Sequence, residues 1–195
     1  MIYVLSKFGR NPYDGVEIDT TSNSGNYRDL SPFLLGPVRT YLPHTWAQNF
    51  ENLWQFSKVY SEHVNEDTSI KEEWYRWRGR GWGDTRAHRY PMGKGRTPLF
   101  ALWDGERLGY IEARKKIYIP IYAEYVVRTE SYRLLEEICR SGQNLILRDY
   151  DGYDYVAMNK TLREVVNDPN RKMGHAFILV MMLKGGIQSY LIEKE

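Results

Sequence analysis

Cysteine is almost absent from this chain, since Cys139 is the only one among 195 residues. A lone cysteine excludes a disulfide within the chain and a cysteine-rich zinc site, and its apolar neighbours indicate a core position. Long hydrophobic runs are absent as well, because the longest, residues 176–183, is too short to cross a bilayer. No signal-peptide pattern precedes the first charged residues. We therefore expect a protein without membrane association that resides in the cytoplasm.

Patterns that bind metal ions are also lacking. The histidines are dispersed and show no paired ligand spacing: His44, His63, His88 and His175. The aspartates around Gly152 have neither the spacing nor the terminal glutamate of an EF-hand calcium loop. We expect no metal and no organic cofactor.

The chain has little excess of either charge sign, since its formal net charge is +2. This balance does not by itself indicate a nucleic-acid partner. With 42% hydrophobic and 14% aromatic residues the chain can build a core, and its length predicts a single domain covering residues 1–195. The predicted class is α+β, mostly helical around a small β-sheet.

The hydrophobic pattern places the main elements. It predicts strands at about residues 3–5, 16–19, 99–103 and 144–148, with a hairpin turn at Asp104-Gly105. It predicts helices at about residues 46–62, 69–77, 121–128 and 132–140, and another in the apolar run that begins near His175. Gly79, Gly81 and Gly83 are expected to end the second helix and to let backbone amides approach a ligand.

The polar residues of the first predicted helix carry the strongest functional signal. Glu51, Gln55 and Lys58 fall within a stripe of roughly 60° on a helix whose other sides are apolar. A carboxylate in such a buried seam is costly unless it is paired or its pKa rises. Glu51 is therefore the leading candidate for a general acid, base or charge stabiliser, oriented by Gln55 and Lys58. The alternative is an internal Glu-Lys pair or a solvated face.

The segment from Trp74 to Tyr90 mixes basic and aromatic residues. Guanidinium groups suit phosphates and aromatic faces suit bases, so this composition is typical of a nucleotide or nucleic-acid surface. The alternative is an ordinary arginine-rich face with tryptophans in the core. The candidate phosphate contacts are Arg76, Arg78, Arg80 and Arg86.

Two further candidates lie later in the chain. Asp149 follows the predicted buried strand, a position that often lines a site, and is the second carboxylate candidate. His175 begins an apolar helix and is either a satisfied core histidine or a site residue.

Several short motifs resemble, in order, those of the NADAR superfamily. They are Leu30-Ser31-Pro32-Phe33, Glu51-x-x-Trp54-Gln55-x-x-Lys58, Gly79-Arg80, and the pairs Met173-Gly174 and Met181-Met182. Members of that family are N-glycosidases that cleave a ribose–nitrogen bond in riboflavin-pathway intermediates or in ADP-ribose attached to guanine. The resemblance implies that Glu51 is the catalytic glutamate and that Ser31 and Phe33 belong to the substrate site. The chain departs from the family pattern at Asn52 and Leu53 and lacks its late Trp-Gly-x-Gly stretch.

The chain is also similar to a group of bacterial and phage proteins. The shared stretches are Ile18-Asp-x-Thr-Ser22, Leu30-Ser-Pro-Phe33, Glu51-Asn-Leu-Trp-Gln55, Glu112-Ala-Arg-x-x-Ile-Tyr-Ile-Pro-x-Tyr122 and Asp149-Tyr150. This similarity implies that these positions belong to one site and, for a phage protein, residence in the host cytoplasm.

These observations predict an N-glycosidase that hydrolyses a ribose–nitrogen bond in a nucleotide-type substrate. Glu51 would stabilise the oxocarbenium-like state or activate water, with Lys58 and Asp149 assisting. Trp54, Trp77 or Trp82 would stack on the base, and the expected partner is a nucleotide or a modified nucleic acid, DNA included. The alternatives are a non-catalytic nucleic-acid-binding or protein-interaction module that retains the fold, and a transferase.

Overall fold

The computed structural model describes residues 1–191, and its fold is α+β, as the sequence predicts. Within those residues the strands are β1 (Ile2–Ser6), β2 (Val16–Asp19), β3 (Val38–Arg39), β4 (Trp46–Ala47), β5 (Lys58–Val59), β6 (Phe100–Trp103), β7 (Glu106–Leu108) and β8 (Leu145–Asp149). The helices are α1 (Phe50–Phe56), α2 (Glu72–Gly83), α3 (Tyr110–Ala113), α4 (Ile119–Val126), α5 (Glu130–Arg140), α6 (Leu162–Asn167), α7 (His175–Leu183) and α8 (Gln188–Leu191). A π-helical turn, Arg114–Tyr118, lies between α3 and α4.

The chain divides into two compact units. The parallel-sheet unit combines Met1–Ser31 with the chain from Arg114 onward, and the hairpin unit is Pro32–Ala113. The prediction of one domain over residues 1–195 stays a prediction, because a compact unit is not by that fact an independently folding domain. Instead of one small sheet, the described residues form three.

The parallel-sheet unit is built around β8. This strand pairs in parallel with β1 on one side and β2 on the other, and all of its residues are buried. The run Leu145-Ile146-Leu147 is apolar without alternation, as expected for a strand covered on both faces. Helices α5 and α7 pack against this strand. The predicted buried strand is confirmed, and its carboxyl end delivers Asp149.

The hairpin unit contains two antiparallel sheets. β6 pairs with β5 and β7, and the turn between β6 and β7 is made by Asp104 and Gly105, both with positive φ. That conformation is typical of the tight turns that match the twist of hairpin strands, so the predicted hairpin is confirmed. β3 and β4 form the second sheet, and α1 packs against α2.

The helix predicted at residues 46–62 is wrong in both boundaries. It begins at Phe50 because the side chain of Asn49 accepts a hydrogen bond from the Asn52 amide. It ends after Phe56, where the Ser57 hydroxyl donates to the Leu53 carbonyl at 2.7 Å. Backbone pairing with β6 then draws the next residues into β5.

The expected end of the second helix is also wrong, because α2 continues through all three glycines to Gly83. Gly81 lies against the ring of Phe56, where an added Cβ would overlap the ring atoms. Its missing side chain therefore serves helix packing rather than the approach of a ligand to the backbone. No helix among residues 1–191 is long and apolar enough to cross a membrane.

Candidate functional site

Glu51, Gln55 and Lys58 form a hydrogen-bonded relay in the hairpin unit. The Gln55 Nε2 atom donates to Glu51 Oε1 at 2.9 Å, and Lys58 Nζ donates to Gln55 Oε1 at 2.7 Å. Glu51 is 6% exposed and Gln55 is 8% exposed. The predicted polar seam on a buried helix is confirmed, although Lys58 reaches it from β5 rather than from the helix.

Backbone contacts hold both ends of this relay in place. The amides of Phe50 and Glu51 donate to the carbonyls of Leu35 and Pro32 at 2.8 and 2.9 Å, which satisfies donors that the first turn of a helix leaves unpaired. At the other end, Lys58 pairs with Ala101 across β5 and β6. The relay therefore joins two elements whose backbones are already paired.

The Gln55 amide lies between the two charged side chains of the relay, and its orientation matches both. The Gln55 amide nitrogen faces the carboxylate and the amide oxygen faces the ammonium, which is the one orientation that suits both neighbours. A single amide thus separates a buried acid from a half-buried cation. Such an arrangement fixes the direction of the Glu51 carboxylate and keeps a positive charge close to it.

Trp54 and Lys58 border a small pocket in the same unit. The Lys58 ammonium lies 4.7 Å from the centre of the Trp54 ring, a cation–π distance. The pocket has a volume of about 90 Å³ and opens to solvent beside Tyr110. Its apolar lining comes from Pro98, Leu99, Phe100, Ala101, Leu108 and Ala113. The sequence did not identify these residues as pocket residues, because the apolar run at residues 98–101 predicts a strand whether or not a pocket is present.

Asp149 and His175 form a buried pair in the parallel-sheet unit. Asp149 Oδ2 lies 3.1 Å from His175 Nδ1 and accepts a hydrogen bond from the Ala176 amide at 3.1 Å. The other ring nitrogen of His175 lies 2.9 Å from the Thr20 carbonyl oxygen. Both ring nitrogens therefore face oxygen atoms that can accept a hydrogen bond, and Asp149 caps the first turn of α7.

Gly174 makes this pair possible. A Cβ at that position would overlap the carboxylate of Asp149, so only glycine lets the acid approach the start of α7. Glu51 belongs to the hairpin unit and Asp149 to the parallel-sheet unit. The role of Asp149 in acid–base chemistry beside Glu51 stays a prediction.

The arginines of α2 do not share one face. Arg76 and Arg80 are exposed one turn apart, and Arg86 is exposed beyond the end of the helix. Arg78 points the other way and is only 7% exposed, with Nη1 donating to the Tyr41 hydroxyl. Its guanidinium lies between four rings at 4.7 to 5.6 Å: Tyr41, Trp74, Tyr75 and Trp82. The expectation that Arg78 holds a phosphate together with the other three does not fit this placement.

The other aromatic and loop candidates are divided between core and surface. Trp82 is 2% exposed and its indole nitrogen donates to the Leu53 carbonyl at 3.4 Å, so it is a core residue and does not fit a stacking role. Trp54, in contrast, borders the pocket and is still a candidate for stacking on a base. Ser31 is buried and is the last residue of the first segment of the parallel-sheet unit, and Phe33 is half-buried in the hairpin unit.

Asn52 has a structural role that the sequence did not reveal. Its side-chain nitrogen donates to the carbonyls of Asp84 and Arg86, each at 2.9 Å, and its side-chain oxygen accepts from the His88 amide at 2.9 Å. Asn52 therefore holds the loop that follows α2. These three hydrogen bonds use both the donor and the acceptor of an amide side chain at this position.

Among the residues that the structure describes, no group of three or more histidine, cysteine, aspartate or glutamate side chains is arranged to hold a metal ion. No curated protein and no solved structure matches the chain. Residues 7–179 match the family described as "Family of unknown function (DUF6939)", so the match includes Glu51 and Asp149 and extends over both units. The chain therefore belongs to the DUF6939 family.

Proposed function

We propose that the protein is an N-glycosidase that hydrolyses a ribose–nitrogen bond in a nucleotide-type substrate. The observation that carries this proposal is the relay in which Gln55 holds the buried Glu51 carboxylate and Lys58 holds Gln55. The NADAR-like Glu51-x-x-Trp54-Gln55-x-x-Lys58 motif supports the same assignment. Glu51 is only 6% exposed, and a buried carboxylate acts more strongly on a developing positive charge than one in bulk water.

The reaction would use Glu51 in one of two related ways. As the bond between the anomeric carbon and nitrogen breaks, its electron pair leaves with the base and positive charge develops on the ribose. The carboxylate stabilises that charge and accepts the proton of the water whose oxygen bonds to the anomeric carbon. Gln55 keeps the carboxylate in the productive orientation, and Lys58 keeps the amide of Gln55 from rotating. The scheme requires no metal or organic cofactor.

The substrate class we propose is an ADP-ribosylated or otherwise modified base, free or within DNA. Arg76, Arg80 and Arg86 support a phosphate-bearing substrate because their side chains are exposed and close in sequence. The deciding measurement is mass spectrometry of free bases and ribosyl products. The substrates to offer are ADP-ribosylated DNA, modified phage DNA and riboflavin-pathway nucleotides.

The matched variants are Glu51→Gln and Glu73→Gln. The first keeps the size of the side chain and removes the carboxylate, and we expect the rate to fall by about 10²–10⁴-fold. The second changes an exposed glutamate of α2 and should leave product release unchanged. Full activity of Glu51→Gln would contradict the proposal. Gln55→Leu should also slow turnover, since it leaves the carboxylate without its amide donor.

A second candidate function is a nucleic-acid-binding module that retains the fold without the chemistry. The exposed arginines favour it, together with Tyr75 and Tyr90, which are 39% and 40% exposed. If Arg76, Arg80 and Arg86 each contact one phosphate, replacing all three with alanine should reduce the slope of log affinity against log salt by about 3. Salt-dependent DNA binding by a wild-type protein that releases no product would favour this candidate.

A further inference from the structure

We propose that the pocket beside Trp54 and Lys58 binds an uncharged planar ring the size of one six-membered heterocycle. The inference rests on the proposed function only for the role of that ring, which is the leaving base of the hydrolysed bond. Binding itself depends on the walls of the pocket.

Two residues that border the pocket, Trp54 and Lys58, connect it to the proposed catalytic carboxylate. Glu51 and Trp54 are three residues apart on α1, a spacing that puts the two Cβ atoms about 5–6 Å apart on one side of a helix. Lys58, which also borders the pocket, connects to Glu51 through the Gln55 amide. A ring held against Trp54 would therefore contact a residue one helical turn from Glu51, although Glu51 itself does not line the pocket.

The chemistry of the walls selects an uncharged ring. Six of the lining residues are apolar, Phe100 and Leu108 among them, so a cationic group would lose its hydration there without compensation. The ammonium of Lys58 gives the pocket one positive edge, which disfavours a cationic ring and favours one that carries carbonyl oxygens. Trp54 contributes an aromatic ring to the lining, and bases stack on rings of this kind.

The size of the pocket limits the ring. A closed cavity of about 150 Å³ holds a whole benzene molecule, whereas this pocket has about 90 Å³ and is open on one side. It therefore takes most of one six-membered ring and leaves the rest at the mouth, beside the exposed side chains of Leu99 and Tyr110. A two-ring base enters with one ring only and keeps the other in solvent.

The test uses 5-fluorouridine as the one-ring probe, followed by ¹⁹F NMR line broadening on titration with the protein. For a ring of this size we expect a dissociation constant of about 1 mM. Adenosine should compete about tenfold more weakly than uridine. Glu51→Gln should bind the probe as wild type does, because the walls are unchanged, and this separates binding from turnover.

Two variants address the walls. Ala113→Leu adds three carbon atoms to the lining and should weaken probe binding at least about tenfold. Because Ala113 is buried, Leu99→Glu provides a second variant at a side chain that is 55% exposed, and it should weaken binding similarly without disturbing the fold. Leu34→Glu is the matched control at a leucine that is 46% exposed and outside the lining, and it should bind as wild type does.

The outcomes distinguish the two proposals. Probe binding that both wall variants lose, in a protein that releases no base, supports the pocket and contradicts the N-glycosidase. Base release by a protein that binds the probe equally well with or without the wall substitutions supports the enzyme and overturns the pocket. Absence of probe binding by wild type at millimolar concentration also overturns it, as does tighter binding of adenosine than of uridine.

Discussion

Gly81 gives a stability prediction in which helix propensity and tertiary packing have opposite signs. In the interior of a helix, glycine is less stable than alanine by roughly 0.5–1 kcal/mol. On that ground alone, Gly81→Ala should stabilise the protein. In the folded hairpin unit, however, the new Cβ would overlap three ring atoms of Phe56. The sign of the change in unfolding free energy therefore depends on whether that ring can move.

The surroundings of Phe56 indicate that it cannot move far. Its side chain is buried, and its ring lies 4.5 Å from the ring centre of Trp77 and 5.8 Å from that of His88. Overpacking of such a site typically costs about 1–3 kcal/mol, which exceeds the gain in helix propensity. We expect Gly81→Ala to lower the unfolding free energy by about 1–2 kcal/mol. For a chain of this length this corresponds to a decrease in Tm of roughly 2–8 °C.

Gly79 is the matched control on the same helix. A Cβ at Gly79 would have no atom within 4 Å, so Gly79→Ala should raise the unfolding free energy by about 0.5–1 kcal/mol. Urea unfolding followed by circular dichroism measures both variants under identical conditions. Phe56→Leu, combined with Gly81→Ala, should show a favourable coupling energy because the smaller side chain removes the overlap. Equal stabilisation by Gly81→Ala and Gly79→Ala would refute the packing argument.

Two further predictions concern charged residues. Arg78→Lys should lower the unfolding free energy by about 1–2 kcal/mol, since an ammonium cannot lie flat between the four rings, whereas Arg76→Lys at an exposed position should change it by less than about 0.5 kcal/mol. Equal effects of these two substitutions in chemical denaturation would contradict a stabilising role for the four rings around Arg78. The Arg148 guanidinium, through its hydrogen bond, holds the pKa of Glu17 below the ordinary value for a glutamate. A carboxyl whose pKa is depressed by folding contributes stability above its unfolded pKa of about 4.3 and loses it as the pH falls through the folded value. The stability difference between wild type and Glu17→Gln should therefore shrink below about pH 4, and a difference that stays constant from neutral to acid pH would argue against the ion pair.

The features that the sequence predicted well depend on local patterns. The apolar run of β8 identified a strand buried on both faces, and Asp104-Gly105 identified the hairpin turn. The spacing of Glu51 and Gln55 identified a polar seam on a helix that is otherwise apolar. In each case the residues that carry the signal are neighbours in the chain, and the backbone geometry that relates them is the same in any fold.

The errors occurred where distant residues compete with local preference. Three glycines are expected to end a helix, but α2 continues through them. Gly81 packs against the ring of Phe56, where a side chain would not fit. Arg78 lies in a segment whose composition is typical of phosphate contacts. Its guanidinium is nevertheless buried among aromatic rings, Tyr41 among them. The short length of α1 follows from the pairing of β5 with β6, whose residues lie more than forty positions away.

The sequence by itself determined the secondary-structure class, the polar seam and the candidate carboxylate, because hydrophobic period and side-chain spacing act within one element. Only the tertiary structure decided that Lys58 reaches Gln55 from a strand, that Asp149 caps α7 beside His175, and that a pocket adjoins Trp54. These arrangements depend on which side chains fill the space left by residues far away in the chain. These contacts are determined by packing in the folded protein and cannot be predicted from a local sequence pattern.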